Sequence, residues 1–175
     1  SCEAQTLIGN TMKIPADIVT TTFDSPLGRI RLAAGRQGLC GVWFEGQRHQ
    51  PDPSAWPTAP GNPLLQQATQ QLTQYFAGQR QQFDVPLDLS AGTPFQQAVW
   101  RALLGLDFGQ TCSYSALSAQ IGRPTAVRAA SGAVAHNPLS IIVPCHRVLG
   151  SNGALTGYAG GLERKAALLK LEAPR

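Results

Sequence analysis

No stretch of this 175-residue chain approaches the length of apolar sequence that crosses a bilayer; its longest runs, such as Ile141-Ile142-Val143, are only a few residues long. No basic-then-apolar leader opens it, so the expected location is cytoplasmic, with the nucleus as the alternative. Cysteine is scarce and scattered. Cys2, Cys40, Cys112 and Cys145 form no C-x-x-C pair, and no histidine stands near enough for a zinc knuckle. In a reducing compartment all four read as free thiols, which leaves open which of them is reactive.

A hydrophobic fraction of 43% with 14% charged residues describes a soluble globular chain, long enough for one ordinary domain or a small lobe packed on a second. The first 16 residues show no periodicity and are expected to be a disordered tail. Net charge is +4, unevenly spread: residues 1–89 hold 6 Lys/Arg against 7 Asp/Glu, and residues 90–175 hold 8 against 3. A basic second half suits a polyanionic partner such as nucleic acid, or is simply a mildly basic solvated surface.

Between Ile18 and Phe44 apolar residues alternate around two turns, Ser25-Pro26-Leu27-Gly28 and Gly35 to Gly38, which predicts a three-stranded antiparallel meander. The proline-rich stretch from Glu45 to Gly61 predicts a surface loop. Asn62-Pro63 then starts a helix, with Leu64, Leu65, Ala68, Leu72, Tyr75 and Phe76 at helical spacing until Gly78. A short strand is expected around Val85–Leu89. Thr93-Pro94 starts a second helix carrying Phe95, Val99, Ala102, Leu103 and Leu106 on one face.

From Tyr114 to Ile121 a short helix is ended by Gly122, and another is expected from about Thr125 to His136, the outline of a helix-turn-helix. In the second helix Val127, Ala130 and Val134 are assigned to the inward stripe. Ala126, Ala129, Gly132 and Ala133 then occupy the other surfaces, with Arg128 as the only large side chain. Small residues let a backbone approach a partner closely, and a mid-helix Gly132 costs roughly 1 kcal/mol relative to Ala. The alternative is a helix buried on all sides.

The chemical signal is strongest in Asn137-Pro138-Leu139-Ser140-Ile141-Ile142-Val143-Pro144-Cys145-His146-Arg147-Val148. Here an apolar, strand-like run delivers a cysteine and a histidine to the start of a loop. Taken alone, Cys145 reads first as a buried small hydrophobe, the usual state of a cytosolic cysteine. In an extended backbone its side chain and that of His146 point to opposite faces, so a water or a local bend must connect them if they act together.

Pro144-Cys145-His146-Arg147-Val148, with Asn137-Pro138, Tyr114 and Arg128 before it and Gly157-Tyr158-Ala159-Gly160-Gly161 after it, resembles the O6-alkylguanine-DNA alkyltransferase family. The likeness runs from about Thr93 to Glu172. It implies an α/β (α+β) fold: residues 1–16 a tail, 17–90 a ribonuclease-H-like lobe with a small antiparallel sheet, and 91–175 a mostly helical DNA-binding and methyltransferase domain. The implied activity is direct-reversal DNA repair, a single irreversible transfer of an alkyl group from O6-alkylguanine, and from O4-alkylthymine, to the protein's own cysteine. No cofactor is implied. The implied partner is double-stranded DNA containing alkylated guanine, docked through its minor groove by a monomer, cooperatively or not. Nucleoid association would follow in a bacterium.

Residue by residue, the resemblance makes Cys145 the acceptor, His146 the base acting through a bridging water, and Glu172 the carboxylate that orients His146. Asn137 becomes a hinge between the recognition helix and the active-site loop. Tyr114 donates a hydrogen bond to the guanine ring, and Arg128 replaces the extruded nucleotide in the stack. Ala126, Ala129 and Gly132 form the docking surface. Pro144, Val148, Tyr158, Ala159 and Gly160 surround the substrate, with Gly160 leaving room for a large alkyl group and Ala159 offering its backbone N–H. Some relatives hold zinc in the N-terminal lobe, but Asp24, Val85 and a lone His49 in this chain predict no metal. Two other readings remain open: a lesion sensor without chemistry, against which Cys145 argues, and a turning-over cysteine hydrolase, for which no oxyanion loop is visible.

Overall fold

The computed structural model describes residues 6–8, 12–14 and 17–174. The alternation after Ile18 produces β3 (Val19–Ser25), β4 (Gly28–Gly35) and β5 (Gly38–Phe44), an antiparallel meander in that order with Thr21 opposite Leu32 and Leu32 opposite Val42. Before it, β1 (Thr6–Ile8) and β2 (Met12–Ile14) pair as a short antiparallel hairpin. The expected tail is corrected to that extent; the rest of residues 1–16 lies outside the described residues.

Although β5 ends the sheet, every one of its residues is buried. Its outer edge is covered by two passing segments rather than by another strand. Leu39 N–H donates to the Pro86 carbonyl at 2.8 Å, Val42 N–H donates to the Pro138 carbonyl at 2.8 Å, and Ser140 N–H returns a bond to Val42 at 3.0 Å. A covered edge offers no template for another chain, and here it also anchors the segment leading to Cys145. The strand expected at Val85–Leu89 is reduced to one parallel bridge between Leu39 and Leu87. Pro86 has no N–H to donate, so the pairing cannot extend towards the start of β5, and the bridge consists of the Leu39–Pro86 bond and the Asp88 N–H bond to the Leu39 carbonyl at 2.9 Å.

Helix α1 (Pro63–Phe76) begins where the cap predicts: the Asn62 side chain accepts from the N–H groups of Leu64 and Leu65. It lays Leu65, Ala68, Leu72 and Tyr75 over the sheet. Helix α2 (Pro94–Leu104) starts with a reciprocal capping box between Thr93 and Gln96. A two-residue strand β6 (Cys112–Ser113) leads into α3 (Tyr114–Gln120), then α4 (Val127–Ala135), β7 (Val148–Leu149) and α5 (Leu162–Glu172). Helix α4 starts two residues later than expected and has no side-chain cap. Its inward face is Ala130, Ala133 and Val134, so Ala133 is buried rather than outward and Val127 is only half-buried. The reason is α2, which packs there: the Trp100 indole N–H donates to the Ala133 carbonyl at 2.8 Å.

Two indoles fix the core by lying on glycines. A Cβ at Gly41 would sit 1.9 Å from the Trp43 ring, and one at Gly92 would sit 2.3 Å from the Trp100 ring. Gly92→Ala should therefore force Trp100 out of its rotamer and lower the free energy of unfolding by about 1–3 kcal/mol, the usual cost of overpacking a core. Urea titration followed by tryptophan fluorescence measures this, and an unchanged midpoint would contradict the packing account.

Candidate active site

The run Ile141–Val143 does not form the expected strand. After leaving β5 at Ser140 the chain folds into tight turns, with Ile142 N–H bonded to the Ser140 carbonyl at 2.9 Å and Val143 N–H to the Leu139 carbonyl at 2.9 Å. Ile141 takes a φ of 74°, a conformation that a β-branched residue adopts only under external constraint. Asn137 supplies part of that constraint. Its side chain accepts from Leu139 N–H at 3.0 Å and donates to the Val143 carbonyl at 2.8 Å, so it ties the end of α4 to the loop.

Cys145 opens a 3-10 turn, Cys145–Arg147, and is only 4% exposed. The backbone at the cysteine and histidine is thus a tight helical turn, the local bend that sequence reasoning left as one alternative. Burial pushes the thiol up to about 11, partly offset by a hydrogen bond with the Asn137 side chain and by the Lys165 charge. Cys40 is a different case. Burial and then the Asp88 charge raise its thiol to about 12, and no cation among the described residues offsets this.

His146 is fully buried and its Nε2 stands 2.7 Å from Glu172 Oε2. The same carboxylate accepts from Arg147 Nε at 2.7 Å, Arg147 Nη2 at 3.0 Å and the Tyr75 hydroxyl at 2.5 Å. Burial opposes ionisation of Glu172, but the hydrogen bonds from His146 and Arg147 outweigh it and hold the carboxyl at about 2. Burial also lowers the His146 pKa, against the opposing pull of Glu172. The stable pairing is a neutral imidazole beside an ionised carboxylate. Because that carboxylate can only accept, Nε2 carries the proton and Nδ1 presents a lone pair. Nδ1 is buried and has no protein partner among the described residues.

A cavity of about 440 Å³ is walled by Tyr114, Tyr158 and Ala159 together with Val134, His49 and Gly150, with none of Cys145, His146 and Glu172 in its lining. Burial raises the hydroxyl pKa of both Tyr114 and Tyr158, and proximity to Cys145 adds to the rise. The Tyr114 hydroxyl reaches the Thr156 carbonyl at 3.4 Å. Tyr158 is half-buried with its hydroxyl enclosed near Ser140, in no well-aligned bond. Three residues expected around the substrate do not line this cavity. Pro144 lines a separate groove with Leu106 and Phe108, and Val148 is buried, its carbonyl accepting from Lys165. Gly160 lies under the Tyr158 ring, where a Cβ would come within 2.7 Å of it. Space at Gly160 therefore acts on the cavity through the position of Tyr158, not by opening onto it.

On α4, Arg128 and Ala129 are exposed while Ala126 and Gly132 are half-buried, leaving a small-residue surface with one long cation at an uncapped helix start. Asp24 pairs with Arg29, Val85 is in the core, and His49 stacks on His136 with ring centroids 3.9 Å apart.

Sequence reasoning missed three residues at the site. Arg147 clamps Glu172 and also donates to the Leu106 carbonyl at 2.6 Å. Lys165, fully buried, donates to the carbonyls of Val148, Thr156 and Gly157 at 2.6, 2.7 and 3.2 Å, pinning the loop over the cavity. Its signal was present, since Lys165 shares an inward helical stripe with Leu168 and Glu172. Tyr75 was assigned only to the apolar face of α1, yet a buried tyrosine hydroxyl normally has a partner.

The chain matches the model of the 6-O-methylguanine DNA methyltransferase ribonuclease-like domain over residues 18–89, and that of the DNA-binding domain of the same protein over residues 94–174. It is 49% identical over 154 residues to the methylated-DNA--protein-cysteine methyltransferase of Mycobacterium tuberculosis, covering 88% of this chain and 92% of that protein. The protein of the same name from Methanosarcina acetivorans is 46% identical, covering 86% and 95%. The solved structure of Mycobacterium tuberculosis OGT in complex with DNA superposes with a TM-score of 0.81 at 48% identity, covering 89% of this chain and 95% of that one. With both domain models matched and the buried cysteine-histidine-carboxylate arrangement in place, the chain belongs to the 6-O-methylguanine DNA methyltransferase family.

Proposed function

We propose that this chain repairs DNA by direct reversal, moving the alkyl group from O6 of a damaged guanine to its own Cys145. The observation that carries the reading is the relay: a buried thiol one residue before a neutral histidine, whose Nε2 is fixed by Glu172 and whose Nδ1 is free to accept a proton. The thiol is too weak an acid to ionise unaided, so Nδ1 takes its proton through one bridging water as sulfur approaches the alkyl carbon. The buried Lys165 ammonium and the Asn137 side chain stabilise the thiolate. The S–C bond forms as the C–O6 bond breaks, and the electron pair leaves with the guanine. Tyr114 donates to the ring and offsets the developing charge. A thioether has no good leaving group, so each molecule reacts once.

The guanine reaches the thiol only by leaving the duplex, because its O6 lies inside the major groove. Arg128, exposed on the small-residue face of α4, would fill the vacated stack, and close backbone approach there suits minor-groove docking with little sequence preference. O4-alkylthymine offers the same displaceable alkyl–oxygen bond. Tyr158, with Gly160 beneath it, sets the room available to the alkyl group.

Three experiments test this reading. Intact mass after incubation with O6-methylguanine duplex should rise by one methyl group, mapped to Cys145, and stop at one equivalent. Turnover, or a methyl group on another cysteine, would refute the assignment. The transfer rate should fall in acid with a midpoint below pH 6.5, where His146 gains its proton. With His146→Ala it should instead climb about tenfold per pH unit towards pH 11, following the free thiol, and a flat profile in that variant would remove His146 from the mechanism. Arg128→Ala should slow repair of duplex about ten- to a hundredfold while leaving reaction with free O6-benzylguanine nearly unchanged, the cost of an unfilled stack. Equal losses on both substrates would refute the intercalating role.

A further inference from the structure

The Glu172 carboxylate is shared between the two halves of the chain. One donor comes from the α1 helix of the N-terminal lobe, since the Tyr75 hydroxyl reaches Oε2 at 2.5 Å across a sequence separation of 97 residues. The His146 Nε2 proton goes to that same oxygen at 2.7 Å. Arg147 Nη2 reaches Oε2 at 3.0 Å, while its Nε and, more distantly, Gly109 N–H at 3.5 Å serve Oε1. Tyr75 is held by rings on three sides, Phe76, Phe83 and Phe108, with centroids 5.4, 5.6 and 6.2 Å away. Its hydroxyl is closed off from solvent and has no other acceptor among the described residues.

We propose that Tyr75 is a positioning residue for the transfer reaction: by donating to the carboxylate oxygen that holds His146, it sets how strongly that histidine attracts a proton. The argument rests on the transfer reading above. An oxygen that accepts from a phenol has less negative charge to offer an imidazolium. With Tyr75 in place, Glu172 fixes the tautomer and ring orientation of His146 without making it so basic that it is protonated at neutral pH. Burial raises the Tyr75 pKa far above its ordinary value, so the hydroxyl remains a donor wherever the protein is folded. The charged groups around His146 are Glu172 and Lys165 from α5 and Arg147 from its own turn; Tyr75 is the neutral donor that α1 adds. The N-terminal lobe is thereby part of the proton relay, through a residue of α1 that does not line the cavity.

The test changes the donor strength in both directions. Tyr75→Phe keeps the ring and removes the donor; Tyr75→3-fluorotyrosine, introduced by site-specific incorporation, keeps the ring and makes a stronger donor. Two quantities are read for each: the His146 ring pKa by NMR in unreacted protein, and the pH dependence of transfer from O6-benzylguanine. Tyr75→Phe should raise the His146 pKa by about 0.5–1 unit and move the acid limb up by the same amount, with the alkaline plateau retained. The fluorinated residue should move both the other way. A purely structural role would lower the rate at every pH and leave the midpoint in place. Absence of a shift, or shifts of the same sign in both variants, overturns the proposal. If Tyr75→Phe does not fold, the sign of the fluorotyrosine shift decides alone. Because the His146 titration needs no substrate, failure here is distinguishable from failure of the transfer reading, which would show as unalkylated Cys145.

Discussion

A single carboxylate, Glu172, sits where the C-terminal helix, the active-site turn and the N-terminal lobe meet, and its hydrogen bonds are what the rest of the site depends on. It receives His146, the Nε and Nη2 groups of Arg147 and Tyr75 while only 3% exposed. A buried carboxylate survives as an anion only when its lone pairs are filled by donors. Here they are filled by groups from two separate elements, the active-site turn and α1, so losing one partner would disturb the placement of the others. Its pKa is depressed from an ordinary 4.5 to about 2, so the stabilisation it confers is present above pH 4.5 and is lost as the pH falls towards 2. The relay is therefore also a structural clasp between the lobes.

The same burial that costs Cys145 its acidity protects it. A thiol raised to about 11 by burial is nearly all protonated at neutral pH and resists adventitious oxidation and alkylation. In the proposed mechanism, reactivity then depends on His146 acting as base only when the leaving group is in position. The strained turn at Ile141, the Asn137 clamp and the three carbonyls gathered by Lys165 keep the thiol, the relay and the cavity in one arrangement before any substrate arrives. Preorganisation of that kind is worth more in a protein that reacts once than speed of turnover, which it does not need.

How much of this was legible in the sequence depended on how local each determinant was. The meander and both capped helices follow from turn chemistry and periodicity within a few residues, and they appear where Ser25-Pro26, Asn62-Pro63 and Thr93-Pro94 put them. The errors arose where a distant segment decided the outcome. Pro86 allows a bridge to β5 but not a strand; α2 turns Ala133 inward; and Asn137 folds Ile141–Val143, strand-like by composition, into turns. At the site, the grouping of Cys145, His146 and Glu172 came from a family pattern rather than from periodicity. The partners of Glu172 were invisible because Tyr75 looks like any core aromatic on an amphipathic helix. Arg147 entered only as part of the motif and Lys165 was given no role, although the spacing of Lys165 with Leu168 and Glu172 could have exposed it.

The claim on which everything else rests is the protonation state of the relay, and the 15N chemical shifts of the His146 ring report it directly. In unreacted protein between pH 7 and 8 the account requires a neutral imidazole with the proton on Nε2 and none on Nδ1, an assignment lost in Glu172→Gln, where the amide no longer provides two accepting oxygens. An imidazolium at pH 7, or a neutral ring carrying its proton on Nδ1, would leave no lone pair facing away from Glu172 to receive the thiol proton and would contradict the mechanism.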